Sequence, residues 1–172
     1  ASEGNVFSVA LANASLVIGD VVLLEGSFSF TDRGDGTSVV AGTGLRLFIG
    51  EGPATLADGS INPFAKGLLI ENASVGLVKI TEGTATQYAI NASGDVSVVG
   101  LPDITLSGTI RVRVNSSSQA VNETITIPRT SKSVNVVFNE TQKASPAGES
   151  FVSIKGLGIT IGIGDQLIQS DI

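Results

Sequence analysis

Apolar and polar residues alternate along much of this chain. Val22, Leu24, Gly26, Phe28 and Phe30 alternate with Leu23, Glu25, Ser27 and Ser29. Ile104, Leu106, Gly108, Ile110, Val112 and Val114 alternate with Thr105, Ser107, Thr109, Arg111 and Arg113. Side chains of a strand point to opposite faces in turn, so each run predicts a strand with one apolar face and one polar face. The second run covers 11 residues. At ~3.3 Å per residue it extends roughly 36 Å, against a usual strand of about 5–6 residues. The pattern predicts further strands over residues 6–11, 38–49, 67–81, 86–99, 121–127, 133–139 and 150–163. No 3.6-residue apolar stripe interrupts it, and Val, Ile, Thr and Ser fill the candidate strands, so no helix is expected. Turn residues mark the breaks, as in Asp32-Arg33-Gly34-Asp35-Gly36 and Ser145-Pro146-Ala147-Gly148.

Two longer patterns sit on top of the alternation. An apolar-x-apolar-x-Gly-x-apolar-x-apolar motif recurs around Gly26, Gly94 and Gly108, and Val152, Ile154 and Gly156 begin a fourth copy. After Gly156 the apolar positions change parity, to Leu157, Ile159, Ile161 and Ile163. Glycine inside a strand marks a bend, a bulge or a close approach of another backbone. A change of parity is what the extra residue of a bulge produces. The expectation is long strands that bend at glycine and pass from one sheet, or one edge of a core, to another. Asn-Ala-Ser recurs at Asn13, Asn72 and Asn91, and residues 9–16 resemble residues 68–75. That echo points to an internal duplication, with sub-halves 1–66 and 67–172 inside a single unit 1–172. The fold class expected is all-β: long antiparallel strands in a β-sandwich or an elongated, solenoid-like sheet stack.

Composition narrows the chemistry. Charged residues are 15% of the 172, against roughly 25% in an average soluble domain. Hydrophobic residues reach 42% with a mean hydropathy of +0.36, enough to bury a core. Cys, His, Met and Trp are absent. That removes thiol nucleophiles, His-based acid–base work, zinc fingers and disulfides. The net charge is −6 and the basic residues are scattered, with Arg111 and Arg113 the tightest pair. A nucleic-acid partner is therefore not expected, nor an anionic membrane surface. No apolar run approaches the ~20 residues of a membrane span, so membrane insertion is not expected. Ala1-Ser2-Glu3-Gly4 has neither the basic region nor the apolar block of a signal peptide. It reads as the start of a mature, excised or intracellular chain.

Residues 67–128 carry a family likeness. Tyr88-Ala89-Ile90-Asn91-Ala92-Ser93-Gly94 is followed by Gly100-Leu101-Pro102-Asp103-Ile104-Thr105-Leu106-Ser107-Gly108-Thr109. Val112-Arg113-Val114-Asn115 and Val121-Asn122-Glu123-Thr124-Ile125-Thr126 come next. This order resembles the repeat unit of giant bacterial tandem-repeat, adhesin-like surface proteins. Leu24-Glu25-Gly26-Ser27-Phe28-Ser29-Phe30 is similar to the strand that opens such repeats. The resemblance implies an extracellular, extended, non-enzymatic role on the cell surface, and it brings no catalytic residues with it.

Candidate sites are few. Six of the nine asparagines stand in Asn-x-Ser/Thr: Asn13, Asn72, Asn91, Asn115, Asn122 and Asn139. Ser and Thr together number 34, so about two such tripeptides would arise by chance, and the excess marks all six as N-glycosylation candidates. None has an acidic residue two positions upstream. Arg33-Gly34-Asp35 spells an integrin tripeptide but reads first as a glycine-rich turn. In the same loop Asp32 and Asp35 are the candidate Ca²⁺ ligands, without the Asp/Asn ladder of a strong site. No other metal and no cofactor is expected. One Tyr and no Trp leave little for a sugar-stacking platform, and no Ser-x-x-Lys occurs.

The expected function is therefore that of a non-enzymatic structural unit. It would build an extracellular filament, fibre or sheath with identical neighbours, joined by strand and sheet-edge contacts. Val6, Phe7, Val9 and Leu11 at one end, and Leu157, Ile159, Ile161 and Ile163 at the other, are the expected assembly strands. The alternative is a carbohydrate- or receptor-binding β-sandwich module of a surface adhesin.

Overall fold

A computed structural model describes the backbone of residues 7–18, 22–53, 56–58, 60 and 62–171. It describes their side chains except those of Asn13 and of residues 15–18 and 22–24. The strands are β1 (Phe7–Ile18), β2 (Val22–Asp32), β3 (Thr37–Glu51), β4 (Lys66–Glu82), β5 (Ala85–Val99), β6 (Ile104–Asn115), β7 (Val121–Thr126), β8 (Ser133–Phe138), β9 (Phe151–Ile163) and β10 (Gln166–Ser170). Eight of them form one antiparallel sheet in the order β1-β2-β3-β4-β5-β6-β9-β10, and β7 and β8 form a separate hairpin. The fold is all-β, as the alternation implies. It is a sandwich of unequal layers: a small hairpin laid on a large sheet.

Short connections explain the meander. The β2–β3 turn closes with Arg33 N donating to Thr37 O at 2.9 Å, and Asp32 Oδ1 accepts from Gly34 N at 2.9 Å. One ladder from Thr37↔Ile80 to Glu51↔Lys66 joins β3 to β4 across the boundary of the expected sub-halves. Residues 1–66 and 67–172 thus share one sheet.

The glycine motif has a specific structural cause. Three bulges place two residues of one strand against a single glycine of the next. Gly44-Leu45 of β3 stand opposite Gly26 of β2. Asn72-Ala73 of β4 stand opposite Gly94 of β5. Gly158-Ile159 of β9 stand opposite Gly108 of β6. In each pair the first residue has positive φ (60°, 51° and 59°), the geometry of a G1-type bulge. The apolar side chain that follows lies where a Cβ of the opposing strand would stand. A Cβ on Gly26 would come within 2.6 Å of Leu45 Cδ2, and one on Gly108 within 2.7 Å of Ile159 Cδ1. A fourth bulge, between Leu11 and Ala14 of β1, falls beside the first Asn-Ala-Ser, as the β4 bulge falls at the second. The bulges form a band across the middle of the sheet. The expectation that strands pass between sheets at these glycines is corrected here. Each long strand stays in the one sheet, and the bulge only flips its parity.

That flip decides which residues share the core. Val39 and Ala41 of β3 lie on the same face as Phe48, past the bulge, and Val78 of β4 on the same face as Leu69. The hairpin covers this face over β3, β4 and β5. Val121, Ile125, Val134, Val136 and Phe138 pack on Val39, Ala41, Val78 and Ala89. Gly76 lets the hairpin approach, since a Cβ there would lie 2.5 Å from Val136 Cγ2. Polar ties fasten the edges of this contact. Arg33 donates to both carboxylate oxygens of Glu123 at 2.9 and 2.8 Å. Asn91 Nδ2 donates to Asn135 O at 2.9 Å. Arg113 donates to Val137 O at 2.7 Å and stacks 4.7 Å from the Phe138 ring centre. A second, smaller cluster of Phe48, Ala65 and Leu69 lies under the β3–β4 connection.

Candidate functional site

The sheet ends in two edges. β1 pairs with β2 along one side, from Phe7↔Asp32 to Ile18↔Val22. Among the described residues, its other side has no strand beside it in the sheet. An open edge is a row of unpaired backbone donors and acceptors, and proteins usually blunt it with charge, proline or a bulge. The sequence of β1, FSVALANASLVI, contains no charged residue and no proline, and its one protection is the bulge. At the opposite end β10 is the edge strand, and its sequence, QLIQS, is also uncharged.

The expected assembly strands divide on this geometry. Phe7, Val9 and Leu11 lie on the edge strand β1 and are exposed, whereas Val6 lies outside the described residues. Ile159, Ile161 and Ile163 do not form a free edge. β6 pairs with β9 on one side and β10 pairs with residues 159–163 on the other. β10 is not among the strands expected from the alternation, which end at residue 163. The short run Leu167-Ile168 after Gly164-Asp165 was the available signal. Leu157 lies just outside the stretch that β10 covers and is exposed.

The second notable surface is the face away from the hairpin. Cross-strand register puts Val9, Phe30, Val40, Leu77, Ile90, Val114 and Val152 in one row across it. The next row holds Leu11, Phe28, Gly42, Val75, Ala92, Val112 and Ile154. Neither row contains a polar side chain, and no other strand lies over them among the described residues. Val152 is 58% exposed, Ile154 67% and Ile163 68%. In the middle of the face a groove of about 240 Å³ is lined by Leu47, Ile70, Val75, Val96, Ile110 and Val112 among others.

On the opposite face the bulge band carries polar side chains. Arg46 sits between Glu71, at 2.9 Å, and Glu25, at 3.9 Å. Asp95 accepts from Thr109 Oγ1 at 2.6 Å and from Asn72 Nδ2 at 3.0 Å. These two bonds, that from Thr109 first, hold its carboxyl below the usual aspartate range. The band is thus cross-linked strand to strand, from β2 to β6, on the side chains that face away from the apolar surface.

The remaining candidates fall as follows. Asp32 and Asp35 cap their own turn, with Asp35 Oδ1 accepting from Thr37 N at 2.8 Å. No group of three or more acidic side chains that could hold a metal occurs among the described residues. Arg33 of the Arg-Gly-Asp turn is committed to Glu123 rather than splayed outward. Among the asparagines, Asn72, Asn122 and Asn139 are exposed, and Asn91 is half-buried beneath the hairpin. Asn115 is fully buried in the folded chain. Its Nδ2 donates to Gln142 O at 2.9 Å and its Oδ1 accepts from Ser117 N at 2.9 Å. Asn115-Ser116-Ser117 is therefore an Asx turn that roots the hairpin. The side chain of Asn13 lies outside the described ones. Exposed aromatic rings do not converge: Phe7 and Phe30 meet at 6.4 Å on β1 and β2, while Tyr88 stands on β5 and Phe64 in the β3–β4 connection.

Compared with known protein families, curated proteins and solved structures, the chain matches none.

Proposed function

We infer that this chain is a structural unit that joins identical neighbours edge to edge, as one building block of an extracellular filament, fibre or sheath. The observation that carries the reading is β1, a 12-residue edge strand without charge or proline. Such an edge is a template for a further strand, and the nearest strand of matching character is the edge of another copy. β10 supplies a second uncharged edge at the other end of the same sheet. Two open edges on one sheet permit head-to-tail growth, which forms an open polymer unless the rotation closes it into a ring. The low charge and the likeness of residues 67–128 to surface-protein repeats support the same reading. It needs neither cofactor nor metal.

The test is electron microscopy and light scattering of the purified chain beside the double variant Ser8→Lys/Ala12→Lys. Both positions are exposed on β1, and lysine on an edge opposes pairing. The wild type should form elongated particles and the variant should not, with circular dichroism unchanged. Wild-type particles that never elongate, or a variant that elongates equally, would overturn the reading.

A further inference from the structure

The apolar face holds more surface than a lone chain of this size leaves open. The molecule exposes 10429 Å² at a mass of 17.4 kDa. A compact monomer of that mass exposes roughly 7,900 Å², so the excess is on the order of 2,500 Å². Part of the exposed surface is the apolar face away from the hairpin. Val9, Leu11, Val152, Ile154, Ile161 and Ile163 are exposed there, with further residues half-exposed between them. Together they present on the order of 1,000 Å² of apolar surface, where a typical monomer's largest patch is about 300–600 Å².

We propose that two copies of this chain pack these faces together as a two-fold dimer, completing the second full layer of the sandwich. This deepens the reading of the chain as a self-assembling unit, on which it rests. Three features favour a second copy over a thin ligand such as an acyl chain. The apolar surface spans from β1 to β10, the full width of an eight-stranded sheet. The charged side chains of the bulge band, Glu25, Arg46, Glu71 and Asp95, are all on the other face, and the charges on this one, Asp32 and Lys79 in one end row and Glu51 and Lys66 in the other, stand at its rim, outside the two uncharged rows. The area also fits: two such faces would bury on the order of 2,000 Å², the range of obligate, hydrophobic homodimers. A two-fold contact pairs one patch with itself, so a face made of Val, Ile, Leu and Phe needs no complementary charge pattern.

The experiment measures sedimentation equilibrium on the full chain in the Ser8→Lys/Ala12→Lys background, which blocks the β1 edge, and with it β1-to-β10 growth, and leaves the face intact. The expected result is a dimer at micromolar concentration. Adding Ile154→Lys, at an exposed position that a monomer tolerates, should weaken the dimer at least tenfold, and Ile154→Val should not. A monomer at 100 µM would overturn the proposal, as would a dimer indifferent to Ile154→Lys. Native mass spectrometry showing a monomer with co-purified acyl lipid would overturn it in favour of a lipid ligand. Edge assembly and face pairing fail separately. Ile154→Lys alone should leave elongated particles, and Ser8→Lys/Ala12→Lys alone should leave dimers.

Discussion

Substituting Gly94 by alanine tests whether the bulge band is held by packing. Gly94 is opposed by Asn72-Ala73, and its φ is not in the left-handed region. An added methyl therefore costs nothing through the backbone. It would lie 2.8 Å from Ile70 Cγ2 and 3.0 Å from Ala73 Cβ, where carbon pairs prefer about 3.5–4.0 Å. Overpacking of this degree costs about 1–3 kcal/mol. Gly83 in the β4–β5 turn is the control. Its φ is +61° and nothing lies within 4 Å of a Cβ there, so Gly83→Ala should cost about 1–2 kcal/mol by backbone strain alone. Urea denaturation at fixed protein concentration measures both. A double-mutant cycle separates the causes. Ile70→Ala removes the methyl that Gly94→Ala would strike, so the pair should couple by at least about 1 kcal/mol. Gly83→Ala and Ile70→Ala should add within about 0.5 kcal/mol. If Gly94→Ala and Ile70→Ala are merely additive, the steric account of the motif is wrong.

Three further predictions follow from the ties of the hairpin. The Arg33 hydrogen bond, foremost, lowers the Glu123 carboxyl below its ordinary range, so the folded chain holds that proton less firmly than the unfolded one. The contribution is full above the ordinary glutamate range and is lost as pH falls through the lowered value. Glu123→Gln should cost about 1 kcal/mol at neutral pH, and the gap to wild type should close in acid; a gap that does not change with pH refutes the pair's role. Asn115→Ala should cost at least about 2 kcal/mol, because it strands the backbone groups of Ser117 and Gln142. Peptide mapping after expression in a glycosylating host should find Asn115 unmodified, and a glycan there would refute its burial in the folded chain.

Much of the fold was legible in the chain because strands are local. Period two placed β2 to β9 close to their observed bounds, and Gly156 with its change of parity announced the bulge at Gly158-Ile159. What was hidden is how strands share a sheet. Gly26, Gly94 and Gly108 looked like sites where strands change sheets. Each instead makes room for a bulged neighbour that lies far away in sequence, Leu45, Ala73 or Ile159, and one sequence does not state which strand is the neighbour. Asn115 was ambiguous for a related reason. A buried Asx turn and an exposed glycan acceptor carry the same tripeptide, and only the position of Gln142 tells them apart. Asn72 shows the converse, with an exposed sequon whose amide is tied to Asp95 across the bulge.

The same limit bears on the largest feature of the molecule. Alternation gives every strand one apolar face, and in a sandwich of equal layers those faces meet inside one chain. Here, among the described residues, eight strands lie side by side in a single sheet and only the hairpin is left to cover it. The hairpin sits on the side to which Val39, Val78 and Ala89 point, the smaller apolar patch, flanked by Arg46, Arg111 and Lys155. The broader apolar side, from Val9 to Ile154, receives no strand among the described residues. Alternation therefore specifies that each strand buries one face, while the supply of covering strands decides where. Among the described residues the six-residue strands β7 and β8 are the only ones outside the sheet, too few to cover both faces, and it is the second face that the proposed pairing of two copies would bury.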